Sequence, residues 1–176
     1  DGGLRNDLHR FDTATRIWAR LDGPEVSGSP PPECWFAGFS VGPGGRLYVF
    51  GGATEFSLTS AIAGVTNALY EFDPVGRAWR TLDQGSNQPP GLPFEIVGGD
   101  SEPEEFRPQQ RARLGMVGDV SGLYVFGGRA ARIIPGKLEN DVLNDVNYYD
   151  LTTSQPGWQQ VLSASNSASG GGPAAG

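Results

Sequence analysis

Chemistry-bearing residues are scarce in this chain. Among 176 residues there is one cysteine, Cys34, one histidine, His9, and one methionine. A lone cysteine has no internal partner, so nothing demands an oxidising compartment, and a cytoplasmic or nuclear setting is the expectation. A lone histidine excludes a histidine-rich metal cage and allows at most one histidine-based triad. Basic residues are outnumbered, 13 Lys and Arg against 20 Asp and Glu, for a formal net charge of -7. They form no stripe, which argues against nucleic acid as a partner. No apolar run is long enough to span a bilayer, and the first residues lack the charged and apolar regions of a secretory signal, so a membrane is not an expected partner either.

What is abundant is glycine, 27 residues, with 14 prolines. Such a chain turns often and has little room for long helices, so an all-β fold is expected. Its clearest pattern is a repeat. Leu47-Tyr48-Val49-Phe50-Gly51-Gly52 returns 76 positions later as Leu123-Tyr124-Val125-Phe126-Gly127-Gly128. Downstream of each glycine pair an Asn leads into a short strand ending in Asp: Asn67 to Asp73 and Asn144 to Asp150, with a third copy at Asn6 to Asp12. A tryptophan follows each Asp, as Trp18, Trp79 and Trp158, the last delayed by two residues. Asp suits these corners because its side chain can accept from backbone N–H groups two residues on.

Ahead of each glycine pair stands one more strand and a tight turn. Phe36 to Val41 runs into Gly42-Pro43-Gly44-Gly45, and Leu114 to Val117 runs into Gly118 to Gly122. Each unit is then four short antiparallel strands, and four strands repeated describe a β-propeller blade. Residues 1–21 supply the last two strands of a first blade, 22–82 a second blade with its entry crossover, and 83–162 a third with a long acidic crossover. Residues 163–176 read as a Gly/Ser/Ala-rich crossover toward a further blade, so more blades of a parent chain are expected partners. Two and a half blades are expected to leave apolar faces uncovered, such as those bearing Trp18 and Trp158.

The order Gly-Gly, aromatic-Asp, Trp resembles the kelch repeat over roughly residues 4 to 162. Its pieces here are Gly51, Gly52, Gly127 and Gly128, then Phe11, Phe72 and Tyr149, then Trp18, Trp79 and Trp158. The family's Arg-x-Gly-His is met by Arg113-Leu114-Gly115-Met116. The resemblance implies a kelch-type propeller segment acting as a scaffold or recognition platform. The alternative it implies is an accessory segment of a larger enzyme, a kelch-type oxidase, isomerase or phosphatase. Kelch-type copper oxidases use His and Tyr ligands with a Cys-Tyr crosslink, but the residues around Cys34 lack such partners, and no metal or cofactor is expected. The glycine pairs are not phosphate cradles, since no helix pattern or Lys-Ser follows them.

Strand parity places function. Turns after the first and third strands of a blade share one face, and here they are short; connections after the second and fourth share the other and are long. The long ones are Ala53 to Thr66, Arg129 to Leu143, Asp22 to Pro32 and Asp83 to Pro108, the last holding Glu95, Asp100, Glu102, Glu104 and Glu105. Long loops on a rigid scaffold are where binding concentrates. A non-catalytic module that binds a protein or peptide through this face is expected, with Phe56, Arg129, Arg132 and Lys137 among its contacts.

Overall fold

The computed structural model describes residues 3–55, 63–86, 106–134 and 137–163. The first unit is a ribbon of two strands, β1 (His9–Asp12) and β2 (Ile17–Arg20), with Phe11 opposite Trp18. A short strand, β3 (Ser27–Gly28), lies in the crossover that follows. The second unit contains β4 (Gly38–Val41), β5 (Leu47–Phe50), β6 (Ala53–Glu55), β7 (Ala63–Val65), β8 (Leu69–Asp73) and β9 (Ala78–Asp83). The third contains β10 (Gly115–Gly118), β11 (Gly122–Ile134), β12 (Lys137–Asp150) and β13 (Gly157–Leu162). The third sheet has the order β10-β11-β12-β13, and the second β3-β9-β8-β5-β4, with β6 and β7 forming a separate ribbon. This is the expected antiparallel meander, extended at the outer edge of the second sheet by β3, which pairs parallel to β9.

Local chemistry repeats as the sequence does. The Asp12 carboxylate accepts from Ala14 N and Thr15 N, and Asp73 from Val75 N and Gly76 N, all at 2.9–3.0 Å. Arg16 and Arg77 then close these two turns in the left-handed region, at φ 58° and 48°. The bonds from Thr15 N and Gly76 N are the main reason both carboxyls lie below the ordinary range. The third unit's longer turn is held by Asp150 on Thr152.

Sheets stack through alternate residues of their strands, as a period of two requires. Leu47 and Val49 face back toward the first unit, where Phe72, Trp79 and Val49 pack with Leu21, Leu8 and Val26. Tyr48 and Phe50 face forward and meet Leu123, Val125, Tyr149 and Trp158 of the third unit. The aromatic pairs of the second and third units therefore each pack onto the unit before. The pairs keep a tilted or edge-on geometry, at 4.9 Å for Phe72–Trp79 and 5.0 Å for Tyr149–Trp158, while Trp158 also reaches Phe50 at 4.7 Å.

Several expectations need correction. Trp158 is not on an uncovered face: it is 7% exposed, because the second unit stands in front of it, whereas Trp18 is 66% exposed. The strands Phe36 to Val41 and Leu114 to Val117 begin later than expected, at Gly38 and Gly115. Left-handed backbone at Phe36 (φ 56°) and Arg113 (φ 57°) keeps those positions out of the strands. Gly128 does not end its strand either. β11 and β12 continue past the glycine pair as one ribbon, with a bulge between Phe126 and Gly128, so Arg129 to Leu143 is largely strand rather than loop.

The asymmetry between the tryptophans can be measured. Trp158→Ala is expected to destabilise the chain by about 3–5 kcal/mol, as a large core deletion does. Trp18→Ala should cost under about 1 kcal/mol, the scale of one cross-strand pair. Urea unfolding followed by far-UV circular dichroism compares them, and equal losses would contradict this packing.

Candidate binding face

The two faces differ in construction. On one lie the short turns at residues 13–16, 42–46, 74–77 and 119–121. On the other, the chain entering each blade is stitched to the residues that follow a glycine pair. Trp35 bridges Ala53, and Ala112 bridges Arg129, each through two backbone bonds of 2.8–3.1 Å. Gly52 N donates to Arg111 O at 2.9 Å, joining the second unit to the entry of the third. A β-carbon at Gly51 would lie 2.6 Å from that same carbonyl, and Gly51 and Gly52 both have positive φ, so only glycine fits this approach.

The recurring asparagines secure the crossovers on this face. Asn6 Nδ2 donates to Pro31 O at 3.3 Å, and Asn67 Nδ2 to Pro108 O at 2.8 Å. Asn67 Oδ1 also accepts from Ser86 N. The proline equivalent to Pro108 is thus Pro31, one position earlier than the reading that ended this crossover at Pro32. The crossover is further held by Arg107 Nε, 3.0 Å from both oxygens of Asp83. A cleft of about 350 Å³ opens at the outer rim here, lined by Asp83, Arg107, Phe106, Tyr149 and Trp158.

Beneath the face lies an ion pair that the sequence did not suggest. Arg111 is fully buried, and its two terminal nitrogens each donate to one Asp145 oxygen at 2.7 Å. The guanidinium also reaches Gln109 O and Gly127 O, and Asn147 Nδ2 donates to Asp145 at 2.8 Å. Desolvation works to raise the Asp145 pKa, but the bonds and charge of Arg111 outweigh it and hold the carboxyl below the ordinary range. The arginine that takes the buried acid is Arg111, while Arg113, in the left-handed region two residues later, is exposed. On the opposite face Glu71 is the buried acid, accepting from Tyr48 Oη, Arg46 and Arg80. Burial, then Glu71, pushes the Tyr48 hydroxyl far up.

The expected contact residues fall at different places. Arg129 is exposed at the base of the β11–β12 ribbon. Arg132 stands opposite Glu139, and Lys137 opposite Ile134, further along that ribbon. Phe56, Glu95, Asp100, Glu102, Glu104 and Glu105 lie outside the described residues. A pair that sequence reasoning missed stands at the blade entries: the guanidinium of exposed Arg113 lies 4.3 Å from the centre of exposed Phe36, and Trp35 stacks on Phe36 at 5.4 Å. Their advance signal was a shared place in the repeat, Phe36-Ala37-Gly38-Phe39 against Arg113-Leu114-Gly115-Met116. His9 is exposed in β1 beside Asp7, and Cys34 is partly buried, with burial raising its thiol pKa. No cluster of three metal-ligating side chains occurs among the described residues.

A family model described as the KLHDC2/KLHL20/DRC7 Kelch-repeats domain matches residues 1–173. The chain belongs to the kelch-repeat family. It is 30% identical over 169 residues to the Leucine-zipper-like transcriptional regulator 1 homolog of Drosophila melanogaster, covering 95% of this chain and 14% of that protein. It is 44% identical over 50 residues to Kelch domain-containing protein 1 of Mus musculus, covering 28% of this chain and 12% of that one. The kelch chain thus spans a small part of the length of both. Kelch-repeat domains are generally protein-interaction modules, and the all-β meander described above is the kelch-type propeller segment.

The buried pair sets a stability expectation. Arg111→Leu should cost about 3–5 kcal/mol, because it strands a buried carboxylate, while Arg111→Met combined with Asp145→Leu should recover most of that loss. Since the folded-state pKa of Asp145 is depressed, its contribution is present above the ordinary carboxylate pKa of about 4 and is lost as pH falls through the lower folded value. Thermal melts from pH 6 to pH 2 check both: wild type should lose stability over the acid range, and the double variant should lose less.

Proposed function

We propose that this kelch segment is a non-catalytic module that binds a protein or peptide through the face carrying the crossovers and the two ribbons. One observation carries the reading: among the described residues, the β6–β7 ribbon and the extension of β11 and β12 are added where the strands carrying the glycine pairs end, whereas the connections at the other ends of the strands are short turns. Recognition elements set on a rigid sheet lose little entropy on binding. The β11–β12 ribbon and the β6–β7 ribbon supply extended backbone, and β7 approaches β11. Arg129, Arg132 and Lys137 supply cationic contacts along one ribbon, and Phe56 belongs to the connection between β6 and β7. Phe36 and Arg113 extend the surface to the blade entries, where the guanidinium lies over the exposed ring. Cationic and aromatic groups together suit a partner segment with carboxylates and apolar side chains. Further blades of the same array are its structural partners, and a cytoplasmic or nuclear setting accords with a single unpaired thiol.

The reading is tested by comparing the faces. Arg113→Glu with Arg129→Glu should reduce recovery of a bound protein in quantitative pull-down by at least about tenfold, the scale of a lost charged contact. Arg16→Glu with Arg77→Glu, on the short-turn face, should leave recovery within about twofold. Equal recovery from both pairs would refute the assignment of the face.

A further inference from the structure

The crossovers into the second and third units begin alike, one from Leu21-Asp22 and the other from Leu82-Asp83. In the first, the chain drops at once onto the outer strand of the next blade. Val26 packs against the cluster of Leu21, Phe72 and Trp79, and β3 lies parallel to β9, with Ser27 opposite Ala78 and Gly28 opposite Trp79. Ser27 N donates to Arg77 O at 3.1 Å. Gly28 has φ 82°, and a β-carbon there would lie 2.0 Å from Trp79 O, so only glycine fits that place. Val26-Ser27-Gly28 is thus a plug seated in the notch between two blades.

The same notch between the second and third units is the rim cleft of about 350 Å³. Its walls are the repeat equivalents of the plug's contacts: Leu82 for Leu21, Tyr149 for Phe72 and Trp158 for Trp79, with Pro156 and Gly157 in the places of Arg77 and Ala78. Among the described residues β13 pairs with β12 alone, whereas β9 carries β3 on its outer edge. There is room at Gly157, where a β-carbon would meet nothing closer than 4.0 Å. The wall also holds an unused donor, because the buried Trp158 Nε1 has no hydrogen-bond partner. We propose that this cleft is a separate peptide-binding site, which takes an extended segment of a partner protein by parallel addition to β13. The segment carries a β-branched apolar residue, one residue of any kind, and then glycine. Its apolar side chain takes the place of Val26, over Leu82, Tyr149 and Trp158. The next N–H donates to Pro156 O, as Ser27 N does to Arg77 O, and the glycine lies against the Trp158 backbone where a β-carbon would clash. Main-chain bonds hold such a ligand, while the notch and the close backbone approach select its side chains. The cleft's volume lies within the range of ligand pockets, about 300–1,000 Å³. This site is at the outer rim, apart from Arg113 and Arg129, and does not depend on what that surface binds.

The probe is a capped peptide with the sequence of residues 24–30, Pro-Glu-Val-Ser-Gly-Ser-Pro, titrated into the isotope-labelled full chain and followed by NMR. Binding is expected with a Kd of about 1 mM or tighter. It should move the Trp158 indole and Gly157 amide signals, leave those of Ala78 and Trp79 in place, and give nuclear Overhauser contacts from the peptide valine methyls to the Trp158 ring. Peptides carrying Gly28→Ala or Val26→Asp should bind at least about tenfold more weakly. The chain with Arg113→Glu and Arg129→Glu should bind the probe as wild type does. No shift at Trp158 with several millimolar peptide would overturn the proposal, and so would equal binding of the alanine peptide or loss of binding in the arginine variant. A last arm concerns residues 95–98, whose sequence Glu-Ile-Val-Gly matches Glu25-Val26-Ser27-Gly28. Binding that appears only after these four are replaced by alternating Gly and Ser would make that stretch the occupant and overturn the assignment to a partner.

Discussion

The stacking of one sheet's aromatic pair onto the sheet before it is the interaction on which the rest of this molecule depends. A single four-stranded kelch sheet has two apolar faces and cannot cover either alone. Phe72 with Trp79 covers the back of the second sheet against Leu21, and Tyr149 with Trp158 covers the back of the third against Phe50. Repeat-equivalent residues therefore have opposite fates: Phe50 is fully buried, while Phe126 is 57% exposed. Their sequence context is the same, Leu-Tyr-Val-Phe-Gly-Gly, and the presence of a following sheet makes the difference.

The same stacking explains why glycine, asparagine and proline recur where they do. For sheets to lie close, the chain entering one blade must run against the end of the blade before it. Gly51 leaves room for the Arg111 carbonyl, to which Gly52 N donates, and Asn67 ties the Pro108 carbonyl to the strand start. These contacts set the crossovers on one face and give the ribbons a fixed base. The difference between the two faces is in this sense a product of blade packing, with the ribbons set at positions where the packing geometry permits insertion.

Much of the fold was legible because its signals are local or periodic. Alternating apolar residues define strands, Asp corners define turns, and the 76-residue recurrence defines the register of whole blades. The errors share a cause. Strand starts at Gly38 and Gly115 were displaced by the left-handed residues Phe36 and Arg113, whose conformation is imposed by bonds such as Arg113 N to Phe36 O across blades. The ribbon past Gly128 was hidden because Arg129 to Leu143 carries mixed polar residues that read as a loop until the two strands are paired. For the candidate face, strand parity predicted that the insertions share one side, but the stacked Arg113 and Phe36 are 77 positions apart in sequence and meet only when two blades pack.

By itself the sequence determined the all-β class, the kelch repeat, the four-strand unit and the side of the blade on which insertions occur, because each follows from residue type and spacing within a few tens of positions. Tertiary structure alone decided which tryptophan is buried, that Arg111 and not Arg113 holds the buried acid, and that the insertion after Gly128 is a ribbon. Those outcomes depend on contacts between units, where desolvation, ion pairing and backbone strain are settled by whichever sheet stands next.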